Sequence, residues 1–223
     1  EMLKIGAPAD SSGFPSVKTT FASMPPAKTM EQLAKAGKGG GGGGGGGGGS
    51  ESGAPSGFQS VGTPGQPVPA PTAQYRTMNG GKIFQADIPS NWTTLPSKSS
   101  IKAVPENGYG ELNGQVVFTH GVEFGLVKAE SRNLQEATNA WLNAVGEANP
   151  NLKAGGQQQA IKISQRTAMA TPLVNPSPLG GQEHIGLYTT FLADGSLFYY
   201  LTIVPEKEAQ AYQEACRKIG QSL

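Results

Sequence analysis

The sequence is poor in the residues on which most catalytic and metal-binding chemistry depends. Its 223 residues include one cysteine and two histidines, and they contain no HExxH, CxxC or G-x-S-x-G pattern. We therefore predict no catalytic residue, no metal site and no cofactor in this chain. Cys216 falls where a helix would face the core, so we expect a buried, inert thiol. The alternative is a self-contained enzyme in which Cys216 pairs with a histidine, and alkylation of the native thiol tests it.

Charge excess and long apolar runs are also absent. The 17 Lys and Arg residues nearly balance the 16 Asp and Glu residues, and no cluster of basic residues occurs. This balance argues against binding to nucleic acid or to a membrane surface. No apolar run reaches the ~18 residues that a membrane-spanning helix requires, so we predict no transmembrane segment. The sequence begins at Glu1 without a charged-then-apolar leader, and we expect it to be part of a longer protein.

Glycine and proline are abundant but unevenly placed. Eleven consecutive glycines occupy residues 39–49, and four prolines follow between residues 64 and 71. Polyglycine is highly flexible, whereas alternating proline favours an extended polyproline II conformation. We therefore predict a linker over residues 37–74. A phosphate-binding loop is rejected because Lys38 precedes the glycines and no strand and helix flank them.

The linker divides the chain into two unequal parts. Residues 1–36 form a predicted arm with two helix-compatible stretches, Glu1–Ile5 and Thr29–Ala36. Isolated helices this short are marginal in water, so we expect the arm to pack against another region or to be loosely ordered. Residues 75–223 are long enough to form one domain around one core.

Hydrophobic periodicity predicts an α+β fold for residues 75–223. Strands are predicted at residues 83–88, 101–104, 115–127 (one long strand or two short ones), 157–170 and 183–204. One helix should follow an N-cap at Asn133, and a second should begin at Pro205. Asp194-Gly195 predicts a tight hairpin within the last strand segment. This order is typical of a twisted antiparallel sheet packed by helices.

The last hairpin is rich in aromatic residues and is the candidate interaction surface. Tyr188, Phe191, Phe198 and Tyr199 could line a groove for a small molecule, a lipid or a peptide. Strand aromatics also pack protein cores, and this alternative stays open.

The histidines and nearby carboxylates have structural interpretations. His120 and His184 each lie in a strand-like segment, where a lone histidine is usually exposed or hydrogen-bonded. Glu183 and His184 are adjacent on a predicted strand, so their side chains should point to opposite faces and cannot share a metal. Glu206 and Glu208 should point to different faces of a helix and be solvated.

Four segments of residues 75–223, taken in order, resemble a PsbP-like domain. They are FQADIPSNW, NLQEATNAWLNAV, YTTFLADGSLFYYLTIV and the terminal IGQSL. The resemblance implies a twisted antiparallel sheet between helices.

The arm suggests a second resemblance. EMLKIGAPADSSGFPSVKTTFASMPPAKTMEQLA, the glycine run and the segment VVFTHGVEFGLV resemble the C-terminal region of secreted zinc metallopeptidases related to the CAAX prenyl protease family. The resemblance implies a periplasmic or secreted parent protein that acts in proteolysis, with its zinc and HExxH domain upstream of Glu1.

These resemblances lead to two functional expectations. The first is a non-catalytic accessory or protein-interaction domain, with the upstream peptidase domain, other proteins or a peptide substrate as partners. The alternative is a small-ligand or lipid-binding module that uses the aromatic hairpin.

Overall fold

The computed structural model describes residues 59–97, 99–163 and 165–223. The predicted arm and the polyglycine run lie outside these ranges.

Twelve strands and two helices form the described part of the chain. The strands are β1 (Tyr75–Gly80), β2 (Phe84–Pro89), β3 (Thr93–Pro96), β4 (Ser100–Val104), β5 (Tyr109–Leu112), β6 (Gln115–Phe118), β7 (Gly121–Val127), β8 (Lys153–Ala154), β9 (Gln159–Ile163), β10 (Arg166–Pro176), β11 (Gln182–Phe191) and β12 (Leu197–Pro205). The helices are α1 (Leu134–Ala148) and α2 (Ala209–Gln221), and a single 3₁₀ turn, Glu206–Glu208, precedes α2.

The centre of the domain is an eight-stranded antiparallel sheet. Its strand order is β3-β4-β7-β12-β11-β10, and β8 and β9 both pair with the outer edge of β10. The pairs β1–β2 and β5–β6 form separate two-stranded sheets. Every residue of β12 is buried, because this strand lies inside the sheet. The large antiparallel sheet with two helices confirms the predicted α+β fold.

Each face of the central sheet is covered by a helix and a small hairpin. On the first face, α2 and the β1–β2 hairpin enclose a core that includes Ile88, Phe124, Tyr200, Tyr212 and Ile219. On the second face, α1 and the β5–β6 hairpin cover a core that includes Phe118, Leu187, Leu201 and Ile203, with Trp141 packed against it. Alternation along the strands separates the two cores, since successive side chains point to opposite faces.

The predicted cap of α1 is confirmed. The Asn133 side-chain oxygen accepts hydrogen bonds from the backbone N–H groups of Gln135 at 3.0 Å and Glu136 at 3.2 Å. The helix runs through Gly146 and stops at Ala148, directly before Asn149 and Pro150. Pro150 accounts for the stop, since a residue before proline is disfavoured in the helical conformation.

The predicted hairpin around Asp194-Gly195 is also present, with a longer connection than expected. Residues 192–196 join β11 to β12, and only Gly195 among them has a positive φ, of 84°. The Asp194 carboxylate accepts a hydrogen bond from the Ser196 N–H at 2.9 Å. A two-residue type I′ turn would need positive φ at both central residues. Residues 192–196 therefore form a longer hairpin loop.

Residues 115–127 form two short strands, which is one of the two alternatives that the sequence left open. The two strands lie in different sheets, with β6 in the β5–β6 hairpin and β7 in the central sheet. Gly121 begins β7 with a φ of 129°, and a Cβ there would lie 2.4 Å from the Ala103 carbonyl oxygen. Only glycine fits this position, which allows the chain to change sheets.

The last part of the predicted linker packs on the domain. We call residues 59–74 the strap. Val61 forms a β-bridge with Tyr109, and the Asn107 side chain donates to the Pro67 carbonyl at 2.8 Å. The Tyr212 hydroxyl donates to the Pro69 carbonyl at 3.2 Å. The strap therefore forms part of the domain surface.

Candidate functional site

A cavity of about 510 Å³ lies between the strap and one end of the central sheet. Its walls are residues 65–68 of the strap, the turn between β5 and β6, and the loop between β10 and β11. His120 and Glu208 provide the ionisable side chains of the lining. This volume falls within the range of about 300–1,000 Å³ that is typical of small-ligand sites.

His120 directly precedes β7 and is fully buried, with 0% of its surface exposed. Its Nδ1 lies 2.9 Å from the Thr119 hydroxyl oxygen, and that hydroxyl donates to the Gly108 carbonyl at 3.3 Å. The other ring nitrogen, Nε2, has no hydrogen-bond partner.

Burial determines the charge of this imidazole. It lowers the pKa of His120 from 6.5 to about 4, because removal from water disfavours the charged form. His120 is therefore neutral at pH 7.

Glu208 faces the free nitrogen of His120. Its Oε2 atom lies 3.3 Å from His120 Nε2, and its side chain is 44% exposed. Partial burial raises the pKa of Glu208. The half-exposed carboxylate remains accessible to water, and no lysine or arginine forms an ion pair with it in the described ranges. A neutral imidazole protonated at Nε2 would present its N–H group to this carboxylate.

A second histidine and glutamate occupy the same end of the sheet. His184 Nε2 lies 3.8 Å from Glu206 Oε1. Burial lowers the pKa of His184, and the nearby Glu206 carboxylate partly opposes this effect. Glu206 and Glu208 therefore point in different directions, as predicted. Each contacts a histidine, and each side chain is only about half exposed, 51% for Glu206 and 44% for Glu208.

Glu183 is the most buried acid at this end of the sheet. Its surface exposure is 0%, and burial raises its pKa well above the ordinary value. A hydrogen bond with the Ser177 side chain acts in the opposite direction and lowers the pKa. Glu183 pairs with Asn175 in the β10–β11 register. It lies outside the cavity lining, and strand alternation places it on the face opposite His184.

The aromatic residues of the predicted interaction surface lie on both faces of the sheet. Tyr188 and Phe198 belong to the core beneath α2, whereas Tyr199 belongs to the core beneath α1. Phe191 is partly exposed and shares the face of Tyr199 by strand alternation. The structure therefore does not bring the four side chains together in one groove, and their role in ligand binding remains a prediction.

Tyr199 takes part in a buried polar network that the sequence did not indicate. Its hydroxyl donates to Glu123 Oε1 at 2.9 Å, and Glu123 Oε2 lies 3.2 Å from Lys102 Nζ. The Lys102 ammonium also lies 5.6 Å from the centre of the Tyr109 ring, a cation–π distance. The Glu123 carboxylate is paired with both a hydroxyl and an ammonium group, so the network is structural.

The thiol of Cys216 is unreactive. Cys216 is buried, as predicted, and burial raises the pKa of its thiol to about 12, so the thiol stays protonated.

Across the described ranges, no group of three or more His, Cys, Asp or Glu side chains is positioned to hold a metal ion. No helix in this part of the chain is long and apolar enough to cross a membrane.

The pairing of His120 with Glu208 was missed at the sequence level. The two residues are distant in the chain, and no local motif joins them. Gly121 of β7 pairs with Ile203 of β12, so the start of β7 lies beside the end of β12. The 3₁₀ turn that contains Glu208 follows β12 directly, and this brings Glu208 next to His120.

Comparison with solved structures confirms a PsbP-like fold. The chain is similar to cyanobacterial PsbP (CyanoP) from Synechocystis sp. PCC 6803, with a TM-score of 0.51 and 9% sequence identity over 68% of this chain and 92% of that chain. It is less similar to a Pseudomonas aeruginosa protein of unknown function, with a TM-score of 0.42 and 9% identity over 68% and 96% of the two chains. A third similar structure is Mycobacterium tuberculosis LpqN, which is involved in cell envelope biogenesis, with a TM-score of 0.41 and 14% identity over 66% and 88%.

The sequence itself matches no family model and no curated protein. The similarity to CyanoP shows the fold alone, because a fold does not imply a function at 9% identity. They give no support to a metallopeptidase parent.

Proposed function

We propose that this chain is a non-catalytic accessory domain that acts by binding, and that its binding site is the cavity beside His120. The observation that carries the proposal is a cavity of about 510 Å³ lined by His120, a fully buried imidazole whose Nε2 has no hydrogen-bond partner. A buried polar atom without a partner costs about 1–3 kcal/mol, a cost that a bound ligand can remove. The protonated, buried thiol of Cys216 further favours binding over catalysis.

Ligand-observed binding and backbone chemical shifts test this function together. The 223-residue chain is titrated with a library of small polar and apolar fragments, and amide shifts are mapped by NMR. We expect shift changes at Leu112, His120 and Leu179, which line the cavity. The amide of Ile83, an exposed apolar residue remote from these in the chain, reports non-specific adsorption.

The same titration separates the two candidate binding surfaces. Shift changes centred on Phe191, with none at the cavity, would instead support the predicted aromatic hairpin. If no fragment shifts the cavity amides, the proposed site is wrong. Chelator-sensitive hydrolysis of casein by the purified chain would contradict the non-catalytic assignment.

The parent protein and the location of the domain are further parts of the proposal. Residues 1–34 and the glycine run support a tether to an upstream zinc metallopeptidase domain, with the present domain held close to it outside the cytoplasm. The reading frame preceding Glu1 tests this arrangement. An HExxH motif there supports it, whereas a start codon followed by a signal peptide contradicts it.

A further inference from the structure

The N-terminal part of the strap forms a turn that one asparagine side chain holds at both ends. The Gln66 N–H donates to the Thr63 carbonyl at 3.2 Å, and Gly65 has a φ of 92°. A Pro-Gly centre with positive φ at the glycine is typical of a type II turn. Asn107, in the turn between β4 and β5, accepts from the Thr63 N–H at 2.8 Å and donates to the Pro67 carbonyl at 2.8 Å. The domain therefore binds this turn through its backbone.

The C-terminal part of the strap is held in the same way. Asn91, in the turn between β2 and β3, accepts from the Thr72 N–H at 3.2 Å and donates to the Ala70 carbonyl at 2.9 Å. The Tyr212 hydroxyl of α2 donates to the Pro69 carbonyl at 3.2 Å. Proline has no N–H group, so a proline-rich segment offers mainly carbonyl acceptors, and three side-chain donors of the domain bind them.

A pocket in the β5–β6 hairpin receives the proline of the turn. Pro64 is buried, although its neighbours Gly65 and Gln66 are exposed. A Cβ on Gly110 of β5 would lie 2.7 Å from the Pro64 Cδ atom, closer than carbon atoms pack. The lack of a side chain at Gly110 therefore makes room for the proline ring.

These contacts recognise the path of the strap more than its side chains. The hydrogen bonds from the two asparagines and the tyrosine all go to strap backbone atoms. Residues 65–67, 69 and 70 of the strap are exposed. Extended proline-rich segments lose little entropy on binding, which makes them common docking ligands. A segment of another chain with the same turn and prolines could make the same contacts.

We propose that Asn91, Asn107 and the pocket at Gly110 form a docking site for a proline-rich segment of a partner protein, and that the strap occupies this site in cis. The segment that fits has a Pro-Gly turn followed by an extended stretch with alternating prolines, as in TPGQPVPAP of the strap. The inference goes beyond the proposed function, because it concerns the surface beneath the strap. The tethered strap has a high effective concentration, so it competes with the partner segment.

A labelled peptide tests the docking site in trans. The probe is SVGTPGQPVPAPTAQ (residues 60–74) with blocked ends and a fluorescent label, and its anisotropy is followed during titration with the full chain. In one variant of the full chain, Pro64→Asp places a charge in the pocket and weakens the cis strap without changing the docking residues. We expect this variant to bind the probe roughly tenfold or more tighter than the wild type, whose strap competes.

A milder variant guards against loss of folding. Gly65→Ala disfavours the positive φ of the turn and leaves the pocket unchanged. If folded strap variants do not bind the probe, the strap is only structural and the proposal is wrong. If both variants unfold, the strap is a required part of the fold, and the proposal is equally wrong.

Nearly isosteric substitutions test the docking residues. In the Pro64→Asp background, Asn107→Asp or Asn91→Asp replaces an N–H donor by an acceptor that faces a probe carbonyl, and we expect probe affinity to fall roughly tenfold. Aspartate tolerates the φ of 64° at Asn107. Asn79→Asp is the control, because Asn79 is exposed on β1 and the charge change is the same. Equal losses in all three variants would indicate an effect of net charge and contradict the proposal.

Two further measurements define the occupant. A probe with the same composition in scrambled order should bind weakly, and binding equal to that of the strap sequence would overturn the proposal. Sedimentation of the wild-type chain should show a monomer. A dimer that Pro64→Asp dissociates would mean that the strap of a second copy fills the site, and the assignment to a partner protein would be wrong.

Discussion

Acidification should destabilise this domain through His120. In the unfolded chain this histidine takes up a proton near its ordinary pKa of 6.5, whereas in the folded domain burial delays protonation until about pH 4. Between these two values the unfolded state binds more protons than the folded state. The free energy of unfolding therefore falls as the pH is lowered through this window, and the stabilisation is fully present above pH 6.5.

The size of the effect follows from the same two pKa values. One pKa unit corresponds to about 1.4 kcal/mol, so the full contribution of His120 is about 3 kcal/mol. Between pH 7 and pH 4.5 the domain should lose about 2 kcal/mol through this residue. Glu183 acts in the opposite direction, because its raised pKa favours the folded state at low pH.

A comparison with His120→Gln isolates the effect of one histidine. Urea unfolding is measured at pH 7, 6, 5 and 4.5 for the wild type and the variant, so that contributions shared by both, such as that of Glu183, cancel. The gap in unfolding free energy between the two proteins should change by about 2 kcal/mol over this range, with the wild type losing more stability. His184→Gln is the matched comparison and should change the pH dependence less, because the Glu206 carboxylate partly restores the pKa of His184. Parallel curves for the wild type and His120→Gln would refute the reasoning.

Three other substitutions or reactions have defined outcomes. Lys102→Met should lower the free energy of unfolding by about 3–5 kcal/mol, because it leaves the Glu123 carboxylate buried without its cation. In urea titrations, adding Glu123→Leu to this variant should recover much of the loss. Asn133→Ala should cost about 1 kcal/mol in the same assay, because two N–H groups of α1 lose their acceptor, and an unchanged midpoint would contradict this role. Cys216 should resist alkylation by iodoacetamide in the native protein and react after unfolding, and rapid native labelling would contradict its burial.

Elements with strong local signals could be predicted from the sequence. Asn133 and the apolar positions after it identify α1, and Asp194-Gly195 between two β-rich segments identifies the last hairpin. β1 was missed because its residues carry no clear alternation, and it forms by pairing with β2. The strap was missed because its prolines and glycines resemble a linker, whereas its position depends on hydrogen bonds to Asn107 and Tyr212.

The candidate site could be predicted only in part. The inert thiol followed from the position of Cys216 on an amphipathic helix. The properties of His120 did not, because they arise from complete burial, from the Thr119 hydroxyl and from the approach of Glu208. These contacts depend on the alignment of distant strands, which local patterns do not encode.

A neutral, buried His120 is the feature on which the proposed binding site depends. Long-range ¹H–¹⁵N NMR correlation of the imidazole at pH 7 observes both ring nitrogens directly. The expected result is a neutral ring whose Nε2 resonance moves when a fragment that shifts the cavity amides is added. A charged imidazolium, or an Nε2 resonance that no such fragment moves, would contradict the proposed site.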